Sequence, residues 1–130
     1  MLIGMNHETA PVELRECMAF RPDSELVALD GIRESDPVKE GLYLSTCNRV
    51  EILFTAGDAE AAGQAVVQLL ARIGDLEESR FASSLYRLEG AEAVTHVFRV
   101  ASSLDSLVVG EPQILGQIKQ SYAEATRRRT

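Results

Sequence analysis

The sequence predicts an α+β domain of the ferredoxin-like kind: a split βαβ sandwich with helices covering a four-stranded antiparallel sheet, and extra helices at its C-terminal end. Three observations predict it. Apolar residues alternate with others on both sides of the polar knot Ser45-Thr46-Cys47-Asn48-Arg49, at Leu42 and Leu44 before it and at Val50, Ile52 and Phe54 after it, which is the period of two strands. Val66, Leu69, Leu70 and Ile73 recur at helical spacing. The elements then run strand, helices, strand, strand, helix, strand, the order of that sandwich.

Each element has its own signal. Leu2 to Asn6 is an apolar strand that ends in the polar cluster Asn6-His7-Glu8-Thr9. Thr9-Ala10-Pro11 opens a helix, with a proline near its first turn and Glu13 near the positive end of its dipole. Leu14, Cys17 and Met18 lie at three and four spacing there, so Cys17 is expected in the core. Pro22-Asp23-Ser24 starts a second helix carrying Leu26 and Leu29, ending near Ser35-Asp36-Pro37. Val38 to Thr46 and Val50 to Thr55 are the two alternating strands. Gly57-Asp58 caps the amphipathic helix, which Gly74 stops. Leu85 to Leu88 is a fourth strand. A helix over Ala91 to Ser102 is expected to pack through Val94, Val97, Phe98 and Ala101. Glu111-Pro112 opens a last helix with Ile114, Leu115, Ile118 and Tyr122, which meets no stop signal before Arg127-Arg128-Arg129-Thr130.

Composition narrows the function classes. With 130 residues, 45% hydrophobic and 25% charged, the chain can bury one core and is not of disordered type. No apolar run reaches the length of a membrane span and no signal peptide leads the chain, so no membrane partner is expected. Two cysteines cannot build a disulfide framework, which points to a reduced, cytoplasmic setting. Cys17, Cys47, His7 and His96 lack the paired spacing of a zinc site. The net charge of −7 argues against a broad phosphate-gripping face, since such faces are basic. Neither GxGxxG after a strand nor GxxxxGK[ST] occurs.

Among the residues that carry chemistry, Cys47 stands where a strand ends and a connection begins. It reads either as a reactive thiol, with the charge of Arg49 favouring thiolate, or as a small buried hydrophobe. His96 falls off the expected stripe of its helix and can face solvent or a cleft. His7 borders the first strand or simply bonds to its own loop. Residues 102–113 are dense in short hydrogen-bonding side chains and can line a polar pocket or cap helices.

Three segments together resemble one family: Gly4-Met5-Asn6-His7-Glu8-Thr9-Ala10-Pro11-Val12, Leu44-Ser45-Thr46-Cys47-Asn48-Arg49-Val50-Glu51, and ASSLDSLVVGEPQILGQ from Ala101 to Gln117. The chain is similar to the N-terminal catalytic domain of glutamyl-tRNA reductases, in the family's order over nearly its whole length. It departs at Glu8, where the family usually has lysine, and at Ser103, where it usually has glycine.

The resemblance implies that Cys47 attacks the ester carbonyl of glutamyl-tRNA to leave a glutamyl thioester, which NADPH reduces to glutamate-1-semialdehyde for tetrapyrrole synthesis. By the same match Thr46, Asn48, Arg49, Ser106, Glu111, Pro112, Gln113 and Gln117 contact substrate, with Arg49 on the glutamyl carboxylate and Glu111 on the α-ammonium, and His96 is a histidine important for activity. Residues 1–110 would form the catalytic domain and 111–130 the start of a long helix that links it to NADPH-binding and dimerisation domains. The expected partners are glutamyl-tRNA, a second copy through the dimerisation domain, and glutamate-1-semialdehyde aminomutase. The same residues admit another reading, a ferredoxin-like regulatory module that binds a small acidic metabolite through Arg49.

Overall fold

The computed structural model of the chain describes residues 1–19, 21, 23–104 and 113–130. Four strands, β1 (Leu2–Asn6), β2 (Val38–Ser45), β3 (Arg49–Ala56) and β4 (Tyr86–Leu88), form one sheet in the order β2-β3-β1-β4. Every neighbouring pair is antiparallel. That is the strand order of the expected sandwich, with α1 (Val12–Ala19) and α2 (Ser24–Arg33) in the first crossover and α3 (Ala59–Gly74) in the second. Two helices follow the sheet: α4 (Gly90–Ala101) and α5 (Gln113–Arg128).

Period-two alternation sorts the sheet into two faces. Ile3, Met5, Tyr43, Val50, Ile52 and Phe54 point to one side, where Met18, Leu29, Ile32, Val66, Leu69, Leu70 and Ile73 of α1 to α3 complete the main core. At roughly 1.5–3 kcal/mol for each large side chain withdrawn from water, this face supplies most of the folding energy. Leu44 lies on the other side with Val100 of α4 and Ile114 of α5, a smaller cluster that Leu42 and Ile118 join. The second face also carries charged residues, and the site described below lies there.

Caps confirm some boundaries and move others. The Asp58 carboxylate accepts from the backbone N–H groups of Glu60 (3.0 Å) and Ala61 (3.1 Å) to start α3. Its last residue is Gly74, but the left-handed residue that ends it is Asp75, at φ 52°. Two short 3-10 turns, Glu78–Arg80 and Ala82–Ser84, precede β4 and carry no periodic signal.

Three expected faces turned out differently. Cys17 is exposed: α1 buries Arg15 and Met18, with Leu14 partly buried beside them, which leaves Cys17 about 100° away on the solvent side. On α4 the buried residues are Ala93 and Val100, whereas Val94 and Phe98 are exposed. The packed stripe is thus rotated by one residue, through Ala93, Val97 and Val100, and His96 falls on its inward side. On α5, Leu115 and Tyr122 are likewise exposed while Ile114 and Ala125 are buried. Both helices cover one face of a sheet that already has a full core on the other. Either of two apolar stripes could have served, and only the register of the strands beneath decides between them.

Ser103 takes φ 59° directly after α4, with its N–H on the Val100 carbonyl (3.0 Å) and that of Leu104 on the Arg99 carbonyl (2.9 Å). This helix-ending geometry favours glycine. Ser103→Gly is expected to stabilise the chain by about 1 kcal/mol, the order of the left-handed penalty for an L side chain. Urea unfolding measures it; an unchanged midpoint would count against the strain.

Candidate functional site

The connection between β2 and β3 is a turn built around one hydroxyl. Thr46 Oγ1 accepts from the backbone N–H groups of Asn48 and Arg49, both at 3.1 Å, while the Thr46 N–H donates to the Arg49 carbonyl at 2.9 Å. A threonine that satisfies two amides in this way fixes the backbone of the residues between. Cys47 stands at the tip, and it is exposed. Asn48 is half-buried beside it.

A second anchor comes from α1. Arg15 is only 8% exposed. Its Nη1 donates to the Cys47 carbonyl, and its Nε donates to the Ala10 carbonyl at 3.3 Å. The side chain thus ties the turn that bears the thiol to the start of α1. Across the same end of the sheet, Asn6 Oδ1 accepts from the N–H groups of Glu8 (3.0 Å) and Thr9 (3.2 Å), and the Asn6 N–H donates to Thr9 Oγ1 (3.0 Å). His7 sits in this turn, half-buried, and its Nδ1 has no hydrogen-bond partner among the described residues.

Behind the turn lies a buried polar cluster. Arg49 and Glu51, two apart on β3, project to the second face and are 1% and 3% exposed. Glu51 Oε1 accepts from Arg49 Nη1 at 3.0 Å and from the Tyr86 hydroxyl, and His96 Nε2 lies 2.7 Å from the same oxygen. The rings of Tyr86 and His96 are 5.5 Å apart, inclined at 56°. Burial pushes the Glu51 carboxyl up, but the His96 hydrogen bond, the Arg49 charge and the Tyr86 hydroxyl outweigh it and hold the group below its ordinary value.

Reaching Tyr86 on β4 from Glu51 on β3 requires crossing the central strand. The register makes this possible, because Gly4 of β1 pairs with both Glu51 and Tyr86. A Cβ at Gly4 would lie 2.7 Å from Glu51 Cγ and 2.6 Å from the Val50 carbonyl oxygen. The missing side chain leaves the space that the Cγ of Glu51 fills.

The residues proposed from sequence are thus partly brought together. Thr46, Cys47, Asn48 and Arg49 share one turn, and His96 reaches Arg49 through Glu51. Gln117 is half-buried and lines, with Ser24, Tyr43 and Ser45, a cavity of about 310 Å³ at the end of β2. Gln113 is exposed at the start of α5. Ser106, Glu111 and Pro112 lie outside the described residues.

Arg15, Glu51, Tyr86 and Gly4 were not singled out by sequence reasoning. For two of them a signal existed: an arginine interrupts the buried side of α1, and a carboxylate follows Arg49 at strand spacing inside an otherwise apolar run.

Comparison with known proteins bears on this geometry. A family model described as Glutamyl-tRNAGlu reductase, N-terminal domain, matches residues 3–130. The glutamyl-tRNA reductase of Syntrophus aciditrophicus is 51% identical over 129 residues, taking in 96% of this chain and 30% of that protein. That of Solibacter usitatus is 49% identical over 125 residues, with the same coverage of 96% and 30%. Among solved structures, glutamyl-tRNA reductase from Methanopyrus kandleri superposes with a TM-score of 0.77 at 34% identity, over 99% of this chain and 28% of that one. The chain spans about 30% of the length of the curated relatives it matches.

Proposed function

Since this chain belongs to the glutamyl-tRNA reductase family, in the part that forms its N-terminal domain, we propose that it is the catalytic domain of such an enzyme and that Cys47 is the nucleophile. The sulfur adds to the ester carbonyl that joins glutamate to the terminal ribose of its tRNA. A C–S bond forms, the C–O bond breaks, the thiol proton passes to the departing ribosyl oxygen, and a glutamyl thioester remains on Cys47. A thiolate is a strong nucleophile near neutral pH, and a thioester accepts hydride more readily than an oxygen ester. The observation that supports this most is the exposed Cys47 at the tip of a turn held from both sides, by Thr46 and by Arg15.

In the same proposal Thr46, Asn48, Arg49, Gln113 and Gln117 contact the glutamyl group, together with Ser106, Glu111 and Pro112. Arg49 would meet the substrate carboxylate as one half of an ion pair with Glu51. Selection of glutamate then rests on hydrogen-bond geometry more than on excess positive charge. His96 serves the reaction at Cys47 from the far side of Glu51.

NADPH is the hydride donor that this reading implies for the whole enzyme, and the described turn from β1 into α1 does not fit its pyrophosphate. In the turn from β1 into α1, where a dinucleotide fold would cradle a pyrophosphate, the Glu8 and Thr9 amides are already taken by Asn6 Oδ1. The step proposed for this chain therefore ends at the thioester. Reduction to glutamate-1-semialdehyde, for tetrapyrrole synthesis, is assigned to the longer protein, in which residues 111–130 would lead from the catalytic domain of residues 1–110 towards further domains.

Much of the grip on tRNA is assigned to the longer protein as well. Within the cationic run at the end of α5, Arg127 and Arg128 both bond to Glu124. Pairing between two copies and contact with the next enzyme, glutamate-1-semialdehyde aminomutase, belong to the same proposal. No helix among the described residues is long and apolar enough to cross a membrane.

The test is the intact mass of the chain after mixing with glutamyl-tRNA. One added glutamyl group, lost in Cys47→Ser, is expected. A folded wild-type chain without the adduct, or an adduct that survives Cys47→Ser, would overturn the proposal.

A further inference from the structure

Among the described residues, His96 is held by one nitrogen only. Its Nε2 lies 2.7 Å from Glu51 Oε1, no described residue bonds to its Nδ1, and the side chain remains 14% exposed. The carboxylate it meets has little freedom to turn. Oε1 also takes Arg49 Nη1 and the Tyr86 hydroxyl, and Glu51, whose Cγ fills the space above Gly4, is 3% exposed.

An ionised carboxylate only accepts hydrogen bonds, so the imidazole facing it, in its neutral form, must carry its proton on Nε2. The lone pair is then on Nδ1, the nitrogen with no partner among the described residues. Both other donors to Oε1 reinforce this by keeping Glu51 ionised inside the fold.

We propose that Glu51, supported by Tyr86, is a positioning residue for His96: it fixes the imidazole as the Nε2–H tautomer and leaves Nδ1 as the one nitrogen through which His96 takes up or gives a proton in the reaction at Cys47. The inference rests on the proposed function for its chemical consequence, though not for the tautomer itself. Its reach is longer than the pair, because a substitution at Tyr86 or Gly4, neither of which lines the turn, would act on the reaction through the angle of one ring.

The two-bond proton–nitrogen spectrum of the histidine-labelled chain reads the tautomer directly, with His96→Gln to assign the signals. The wild-type chain is expected to show a protonated Nε2 and a bare Nδ1 at His96. Glu51→Leu removes the acceptor that Nε2–H meets, so the ring is no longer held and a fraction of molecules is expected to carry the proton on Nδ1. Acylation of Cys47 by glutamyl-tRNA should fall about a hundredfold in that variant, on the scale of a lost general acid–base group, while iodoacetamide still labels the thiol.

A proton on Nδ1 in the wild-type spectrum would overturn the inference, and so would wild-type acylation by folded Glu51→Leu. The wild-type spectrum decides even if the variant does not fold. An Nε2–H spectrum with no glutamyl adduct would instead overturn the proposed function and leave the positioning intact, so the two failures are distinguishable.

Discussion

Arg15→Met is expected to slow acylation of Cys47 by about a hundredfold, the order that a misplacement of about 1 Å brings to a reacting group. The guanidinium is the only described side chain that bonds to the carbonyl of Cys47, and it comes from α1, not from the hairpin itself. Methionine keeps much of the volume but donates nothing. The carbonyls of Cys47 and Ala10 then lose their donor, at a cost of about 1–3 kcal/mol where they remain buried. The turn has the Thr46 hydroxyl left to hold it, which fixes the amides of Asn48 and Arg49 but not the peptide oxygen of Cys47. Two measurements separate placement from reactivity. Single-turnover formation of the glutamyl adduct should fall, while iodoacetamide, which needs only an accessible thiol, should label at close to the wild-type rate. Equal loss in both assays would mean that the thiol itself had become buried. No loss in either would mean that Arg15 merely packs α1.

Arg49→Met is expected to destabilise the chain by about 3 kcal/mol, within the range found when one partner of a buried ion pair is removed. Arg49 and Glu51 are 1% and 3% exposed, so the carboxylate left behind cannot be hydrated, and its remaining donors on His96 and Tyr86 replace only part of the lost charge. Replacing both, as Arg49→Met with Glu51→Leu, should recover some of the loss, because the Glu51 charge is then no longer buried without Arg49.

The pH dependence follows with a definite sign. In the native wild-type chain the Glu51 carboxyl is held below its ordinary value of 4.5. The stability this contributes is fully present above that value and is lost as pH falls through the lower native one. Urea unfolding at neutral pH and on the acid side of 4.5 should therefore show a falling limb that Glu51→Gln flattens. A single variant as stable as the wild type would mean that water reaches this pair.

What the sequence made legible was whatever depends on neighbours along the chain. The two strands around Ser45-Thr46-Cys47-Asn48-Arg49, the α3 helix with its Asp58 cap and the strand order all follow from local period and order. The buried cluster was hidden because its members meet only across strands. Glu51 touches Tyr86 because both pair with Gly4, and that register is set by the whole sheet. The facing of α4 was misread on similar grounds. Val94, Val97, Phe98 and Ala101 are as good a stripe as Ala93, Val97 and Val100 until the second face of the sheet supplies a carboxylate for His96. Arg15 was passed over because a charged residue in a short helix is usually solvated, and here the backbone of a distant turn takes the place of water.

The hairpin that carries Cys47 also limits how this protein can change over evolutionary time. Strand pairing has a period of two, so one residue inserted or deleted between Ser45 and Arg49 would slip β3 against its partners and exchange its sides. Arg49 and Glu51 would be driven into the hydrocarbon layer beneath α1 to α3, and Val50 and Ile52 would emerge opposite His96. The length of that connection is therefore under as much constraint as its chemistry: substitution is open to it, and gain or loss of a residue is not.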